Sequence, residues 1–421
     1  MGIIDILKER GFIQDEANLE NLKKFEKNKS AAYIGVDPSA PSLGVHHFSS
    51  LAAGKWLRDA GHPVYFIVGG ITGLIGDPRD PKLTKNAQIE RTLQDKKVIE
   101  ANVIQLKKQL KQYFDATEVL NNADFYKNMS VADYLRDIGK LINVNYMLEK
   151  DVIARRLETG ISYAEFSYTL LQGYDSLWLY NHKKVVCQFG GADQWGNITT
   201  GLELIRKVNG SDNNACCFSC PLLLKPDGTK FGKSEGGTLW LDPKKTSSYE
   251  IYQFFINQPD SMVETLIMRL TFIPTKTAKK IIADHNKNPS AKLGQNTLAE
   301  NVVTFLRGKE EYLKAKKISD ALFSGNVVNL SNDELFTALS GTRVFNATKS
   351  SYNIVDLLVE AKVCNSKTEG RQLISQKNIV YNNIVVETND KVVDNKFSFT
   401  SKKTKFSFIK KGKKDWTLII W

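Results

Sequence analysis

Y-I-G-V-D-P-S-A-P-S-L-G-V-H-H, from Tyr33 to His47, is an apolar strand edge that breaks at Gly35, Asp37 and Pro38 and ends in paired histidines. A strand, a tight loop and a helix start meet in such a stretch. Where a parallel strand delivers its loop onto a helix start, backbone N–H groups and the positive end of the helix dipole favour phosphate. A loop of Gly, Asp, Pro and Ser also serves as a plain turn, so the stretch alone leaves both readings open.

Outward from this stretch, β-rich segments alternate with helical ones as far as Leu224. Strands are predicted at Ala31 to Asp37, Pro63 to Gly70, Lys184 to Gly191 and Cys217 to Leu224. This alternation is the pattern of a parallel sheet wrapped by helices. Phe48, Leu51, Ala52 and Trp56 recur at helical spacing before Gly61 and Pro63 stop the helix. Ile99, Val103, Leu106, Leu110 and Phe114 mark a second amphipathic helix, with Lys and Gln on its outer face.

Further loops carry chemistry-bearing residues. G-G-I-T-G-L-I-G-D-P ends in Asp77 and Pro78, and Arg79, Lys82 and Lys85 follow. Its glycines allow close approach of a ligand, and the basic residues can reach phosphates; a surface loop is the competing reading. In E-F-S-Y-T-L-L-Q-G-Y-D, Tyr168, Gln172 and Asp175 share one helix face. Q-F-G-G-A-D-Q-W-G-N, from Gln188, repeats the strand–loop–helix logic and places Asp193 and Gln194 as polar groups. In K-P-D-G-T-K-F-G-K-S-E-G-G, Lys230 and Lys233 sit on a glycine-punctuated loop, suited to charge that appears transiently on a polyphosphate.

The 421 residues are 42% hydrophobic and 25% charged, as in an ordinary globular protein of two to four domains. No apolar run reaches the length of a membrane span. The first fifteen residues mix both charge signs unlike a signal peptide, which points to the cytoplasm. The five cysteines, odd in number and unevenly spread, argue for buried thiols rather than a disulfide framework, and Cys217 and Cys220 lack partners for a zinc site.

Net charge is +12, and from Tyr352 onward thirteen Lys and Arg stand against seven Asp and Glu. Lys402, Lys403, Lys405, Lys410, Lys411, Lys413 and Lys414 interleave with Phe406, Phe408 and Trp416. The pattern fits a surface that tracks a phosphate backbone, or an edge hairpin protected by lysines. Helical periodicity fills 246–323, 324–351 reads as a partly structured linker, and 352–421 as a small α+β domain.

Taken together, these stretches resemble tyrosyl-tRNA synthetase of the bacterial type, a class I aminoacyl-tRNA synthetase. Y-I-G-V-D-P-S-A-P-S-L, G-G-I-T-G-L-I-G-D-P, V-N-Y-M-L-E-K from Val144, G-I-S-Y-A-E-F-S-Y-T-L-L-Q, G-G-A-D-Q-W-G-N-I-T and K-F-G-K-S carry the resemblance, in order along nearly the whole chain. S-K-T-E-G-R-Q-L-I-S-Q-K-N-I-V-Y-N-N is similar to a small RNA-binding domain shared with a ribosomal protein. The resemblance implies a Rossmann-like catalytic domain over 1–224 with a helical insertion near 99–150. A K-F-G-K-S loop and linker over 225–245, an anticodon-arm-binding helical domain and the basic RNA-binding domain would follow.

It also implies a reaction: tyrosine attacks the α-phosphate of ATP, and the tyrosyl-adenylate passes to the terminal adenosine of tRNA. By resemblance, Tyr33 and Asp175 bind the substrate phenol. Asp77, Tyr168 and Gln172 hold its ammonium, and Gln194 lies near its carboxylate. Gly35, Asp37, Ser39 and His47 line the nucleotide route, Gly191 and Asp193 meet the ribose, and Leu222 and Leu223 the adenine. Lys230 and Lys233 stabilise pyrophosphate, with Lys82 and Lys85 as helpers. Magnesium is expected with the ATP, without a dedicated protein metal site, and the protein is expected to be a homodimer. One departure stands out: the family's H-I-G-H signature reads Gly44, Val45, His46, His47.

Overall fold

A computed structural model describes residues 2–78, 81, 92–229, 231–234, 237–324, 327–412 and 415–421, with the side chains of Lys233 and Ser234 outside the description. The chain divides into two compact units: Met1–Lys245 with Gln258–Val302, and Thr246–Asn257 with Val303–Trp421.

Among the described residues the first unit holds a six-stranded sheet of β1 (Glu16–Ala17), β2 (Ala31–Val36), β3 (Val64–Val68), β4 (Glu118–Asn121), β5 (Val185–Gly191) and β6 (Cys216–Cys220). Their order is β1-β6-β5-β2-β3-β4. β1 runs antiparallel to β6, and the other neighbours are parallel. The chain steps from β2 to β3 on one side and from β5 to β6 on the other, so the order reverses between β2 and β5. In a doubly wound sheet the ligand crevice lies at that reversal, beyond the carboxyl ends of the strands.

Burial on both faces explains the near-continuous apolar runs of these strands. Ala31 to Ile34 are buried, and exposure begins at Gly35, where the opening stretch leaves the sheet. The Val45–Asp59 helix buries Phe48 against Phe114 of the Lys96–Phe114 helix, with ring centroids 5.8 Å apart. Gln109 of that second helix corrects the expectation of an outward-facing glutamine. It is buried, and its Oε1 accepts from Leu43 N–H at 2.8 Å, pinning the loop that ends at Gly44. β1 and β4 are edge strands that the sequence reading omitted.

The stretch expected as one helical domain over 246–323 is divided between the two units. The expected linker over 324–351 contributes core to the second unit. Its helix Asn332–Ser340 buries Leu335, Ala338 and Leu339 against Phe406, Phe408, Trp416 and Leu418. Its strand Arg343–Asn346 pairs in parallel with Asp415–Ile420. The aromatic residues expected among the surface lysines are therefore interior. Ile409 and Ile419 face a second cluster with Leu357 and Leu358, so this sheet is covered on both faces. All five cysteines are buried free thiols.

Candidate active site

A cavity of about 360 Å³ opens at the carboxyl ends of β2 and β5. Its lining brings together Tyr33, Gly35, Asp37, Ser39 and His47 from the opening stretch with Asp77, Tyr168, Gln172 and Asp175. Gly191, Asp193 and Gln194 join them from the end of β5, and Leu222 and Leu223 from beyond β6. Lys82, Lys85 and Lys230 lie outside the described residues. Lys233 is described only in its backbone, paired with Thr238.

Tyr33 sits on β2 opposite Gln188 of β5, and Asp175 on the Tyr163–Lys183 helix that crosses the sheet. That helix is capped by Ser162, whose side chain accepts from Glu165 N–H, and it is anchored by the buried Arg156–Glu165 ion pair at 2.5 Å. Ser176 Oγ donates to Gln188 Oε1 at 2.9 Å and lies 2.5 Å from Tyr33 OH. With its own proton committed to Gln188, Ser176 takes the proton of Tyr33, leaving phenol lone pairs for a ligand. Asn122 Nδ2 donates to Asp175 Oδ2 at 2.9 Å, while buried Asp175 Oδ1 has no hydrogen-bond partner among the described residues. Burial raises the Asp175 pKa well above the usual carboxylate range, Asn122 opposes the rise and Asp37 adds to it. Burial likewise raises the Tyr33 phenol, and Asp175 reinforces it. A buried acceptor without a donor is costly, so this end of the cavity favours a ligand that brings a hydroxyl.

At the other polar end Asp77, Tyr168 and Gln172 line the same cavity, each in a hydrogen-bond network. Tyr168 OH donates to Asp37 Oδ2 at 2.9 Å, and Thr72 Oγ1 donates to Asp37 Oδ1 at 2.8 Å. Asp77 instead receives Gln194 Nε2 at 2.8 Å and Asn197 Nδ2 at 3.1 Å. Asn197 Nδ2 also reaches Gln172 Oε1 at 3.0 Å. Two carboxylates, each steadied by two donors, thus stand at one cavity, a setting suited to a ligand ammonium. Asn122 Nδ2 also lies 3.2 Å from Thr72 Oγ1, so hydrogen bonds run continuously from Tyr168 through Asp37, Thr72 and Asn122 to Asp175.

At the helix-start side of the cavity, Gly44 caps the Val45–Asp59 helix, and its N–H donates to His47 Nδ1 at 3.1 Å. In neutral His47 the proton then resides on Nε2. Leu222 and Leu223 follow Pro221, whose carbonyl accepts from buried Arg269. Sequence reasoning missed Thr72, Asn122, Ser176, Gln188 and Arg269. Thr72 and Gln188 stood within quoted motifs and Ser176 beside one, whereas nothing in the local pattern marked Asn122 or Arg269.

The reversed strand order, with polar groups gathered on one side of the cavity and a helix start on the other, defines a doubly wound α/β protein. The chain belongs to the class I tRNA synthetases (W and Y), whose family model matches residues 25–324. Residues 334–419 match the tyrosine–tRNA ligase SYY-like C-terminal domain. The chain is 43% identical over 419 residues to the tyrosine–tRNA ligase of Ureaplasma urealyticum serovar 10, covering 100% of this chain and 99% of that protein. It is 40% identical over 421 residues to that of Limosilactobacillus fermentum, with 99% of each covered. A C-terminally truncated mitochondrial tyrosyl-tRNA synthetase of Aspergillus nidulans superposes with a TM-score of 0.67 at 29% identity, covering 76% of this chain and 94% of that one.

Proposed function

We propose that the protein is a tyrosine–tRNA ligase that activates tyrosine with ATP and transfers it to the terminal adenosine of its tRNA. The observation that carries this reading is the unpaired Asp175 Oδ1 buried beside Tyr33. A tyrosine phenol donates to that oxygen, whereas phenylalanine leaves it unpaired. Asp37 and Asp77 face the ammonium, steadied by Tyr168, Thr72, Gln194 and Asn197.

The substrate carboxylate, already ionised, attacks the α-phosphate, and pyrophosphate leaves; a ribose hydroxyl of the tRNA then displaces AMP from the adenylate. The attack needs no protein nucleophile, so positioning and charge stabilisation do most of the work. Gly191 and Asp193 take the ribose, Leu222 and Leu223 the adenine, and His47 with Lys82, Lys85, Lys230 and Lys233 the phosphates. Magnesium enters with the ATP phosphates. Among the described residues no three His, Cys, Asp or Glu side chains gather as a metal cage. The second unit holds the tRNA, with exposed Lys402, Lys403 and Lys405 against its backbone.

The working form is a homodimer in the cytoplasm. Exposed Val131, Leu135, Val144, Leu157 and Tyr163 supply apolar surface for a second copy. Among the described residues no helix is long and apolar enough to cross a membrane.

Tyrosine-dependent exchange of labelled pyrophosphate into ATP tests the reading, with phenylalanine and tryptophan as comparators. Exchange with tyrosine alone is expected. Absence of exchange, or preference for tryptophan, overturns it.

A further inference from the structure

Gly44 and His46 form a single steric unit. A Cβ built on Gly44 would lie 2.5 Å from His46 Cε1 and 2.6 Å from its Nδ1. The His46 ring therefore occupies the volume that a side chain at position 44 would need. Side chains in a first helical turn lean toward the helix N-terminus, which is how a residue two positions on covers the cap. Only glycine at 44 leaves room for it.

The ring is also held from its C-terminal side. His46 and His47 lie with ring centroids 3.9 Å apart, and both line the cavity with Asp37, Ser39 and Asp193. His47 Nδ1 is engaged by Gly44 N–H, which fixes His47 as a partner for His46. From the opposite side the glycine–lysine loop closes on the same turn. Gly232 has φ +84°, and a Cβ there would lie 2.9 Å from His46 N. Val45 N–H donates to Leu239 O at 2.9 Å, and Leu239 N–H to Gly232 O at 3.0 Å, tying the loop to the helix start. The backbone of Lys233 follows directly, in a short strand.

We propose that His46 is a phosphate-contacting residue for ATP, and that Gly44 serves it as the permissive neighbour whose missing side chain seats the ring. The inference rests on the ligase reading, which supplies the triphosphate. His46 lies where the helix N-terminus, the His47 ring and the lysine-bearing loop converge, in the first turn where the helix dipole favours an anion. An imidazole N–H there donates to charge that builds on the departing pyrophosphate. The two positions are therefore coupled: a side chain at 44 displaces the ring, and without the ring the next neighbour of a methyl group at 44 is Thr238 Cγ2 at 3.1 Å, a side-chain methyl that has to give by only a few tenths of an ångström.

The test is tyrosine-dependent pyrophosphate exchange by the full-length protein, with kcat and both KM values measured for wild type, His46→Ala, His46→Asn, Gly44→Ala and Gly44→Ala/His46→Ala. Removing one such donor lowers kcat about 100-fold, and the tyrosine KM is expected to stay unchanged. His46→Asn, which keeps an N–H donor in that turn, is expected to recover most of the loss. Gly44→Ala alone is expected to lower kcat, while the double variant matches His46→Ala, the non-additivity of residues sharing one site. Wild-type kcat in His46→Ala, or additive effects of the two substitutions, overturns the inference and leaves the ligase reading intact. A wild-type protein without exchange overturns both.

Discussion

Asn122 Nδ2 lies 2.9 Å from Asp175 Oδ2, while Asp175 Oδ1, buried just as deeply, meets no donor among the described residues. One carboxylate thus carries an oxygen tied to the fold and an oxygen kept open, and the open one is a standing penalty to the folded state. In the proposed ligase, recognition of the phenol and a cost to stability meet in this single side chain.

Asp175→Asn separates the two. Burial raises the folded-state pKa above the ordinary value of 3.8, so the folded protein binds this proton more tightly than the unfolded chain does. The stabilising contribution is complete below the unfolded pKa and is lost as pH rises toward the folded one. The isosteric amide does not ionise and keeps an acceptor for Asn122. It is expected to stabilise the protein by about 1–2 kcal/mol at neutral pH, less as pH falls toward 4, and to lower tyrosine activation at least about tenfold. Urea unfolding across this pH range measures the first effect. A stability change independent of pH contradicts it.

Asn122→Ala acts from the other partner. Asn122 Oδ1 accepts from Ile71 N–H at 2.9 Å, and its Nδ2 joins Asp175 to Thr72. Removing the amide leaves Asp175 with neither oxygen paired and the Gly69–Pro78 loop less fixed. A loss of about 1–3 kcal/mol in stability is expected, together with a tyrosine KM raised about tenfold and an ATP KM within twofold of wild type. Equal changes in both KM values would mean that the substitution acts through the fold at large.

What the sequence revealed and what it hid follow the same physics. Apolar runs broken by Gly, Asp and Pro marked β2 and β5, because buried parallel strands must be apolar and their ends must turn. The same-face spacing of Tyr168, Gln172 and Asp175 was legible because a helix repeats every three to four residues. Periodicity carries no information about partners on other elements. It could not show that Tyr168 donates to Asp37, or that Asn122 on an edge segment faces Asp175. Gln109 was misplaced because helix patterning ranks residues by polarity, and a glutamine that satisfies a loop amide in the interior reads as surface. Phe406, Phe408 and Trp416 misled for a related reason: lysines at strand ends lie next in sequence to residues that a sheet covered on both faces buries.

Asp77→Asn probes the ammonium end. Gln194 Nε2 and Asn197 Nδ2 both donate to Asp77, so an amide in its place sets a donor against a donor and removes the negative charge. The tyrosine KM is expected to rise about 10- to 100-fold, because the substrate ammonium loses a charge-assisted partner, with the ATP KM little changed. Exchange kinetics at saturating ATP give the comparison. If the tyrosine KM stays put, Asp37 alone carries the ammonium.

The basic tail calls for substitution rather than truncation. A cut at Tyr352 would take Asp415–Ile420 away from Arg343–Asn346, and Phe406, Phe408 and Trp416 away from Leu335 and Leu339. It would thus expose an apolar core along with removing charge. Lys402 and Lys403 are exposed on the turn between Phe399–Ser401 and Thr404–Lys411, and Lys405 is exposed at the start of the second strand, so serine substitutions at all three leave that core untouched. The triple variant is expected to keep wild-type pyrophosphate exchange, to raise the KM for tRNA in charging, and to flatten the salt dependence of tRNA binding. Each phosphate that no longer meets a lysine takes roughly one unit from the log–log slope. Binding titrations between low and physiological salt give that slope. A slope equal to that of the wild type would place the tRNA backbone on another face of the second unit, because lysine–phosphate pairs cannot be removed without releasing fewer counterions on binding.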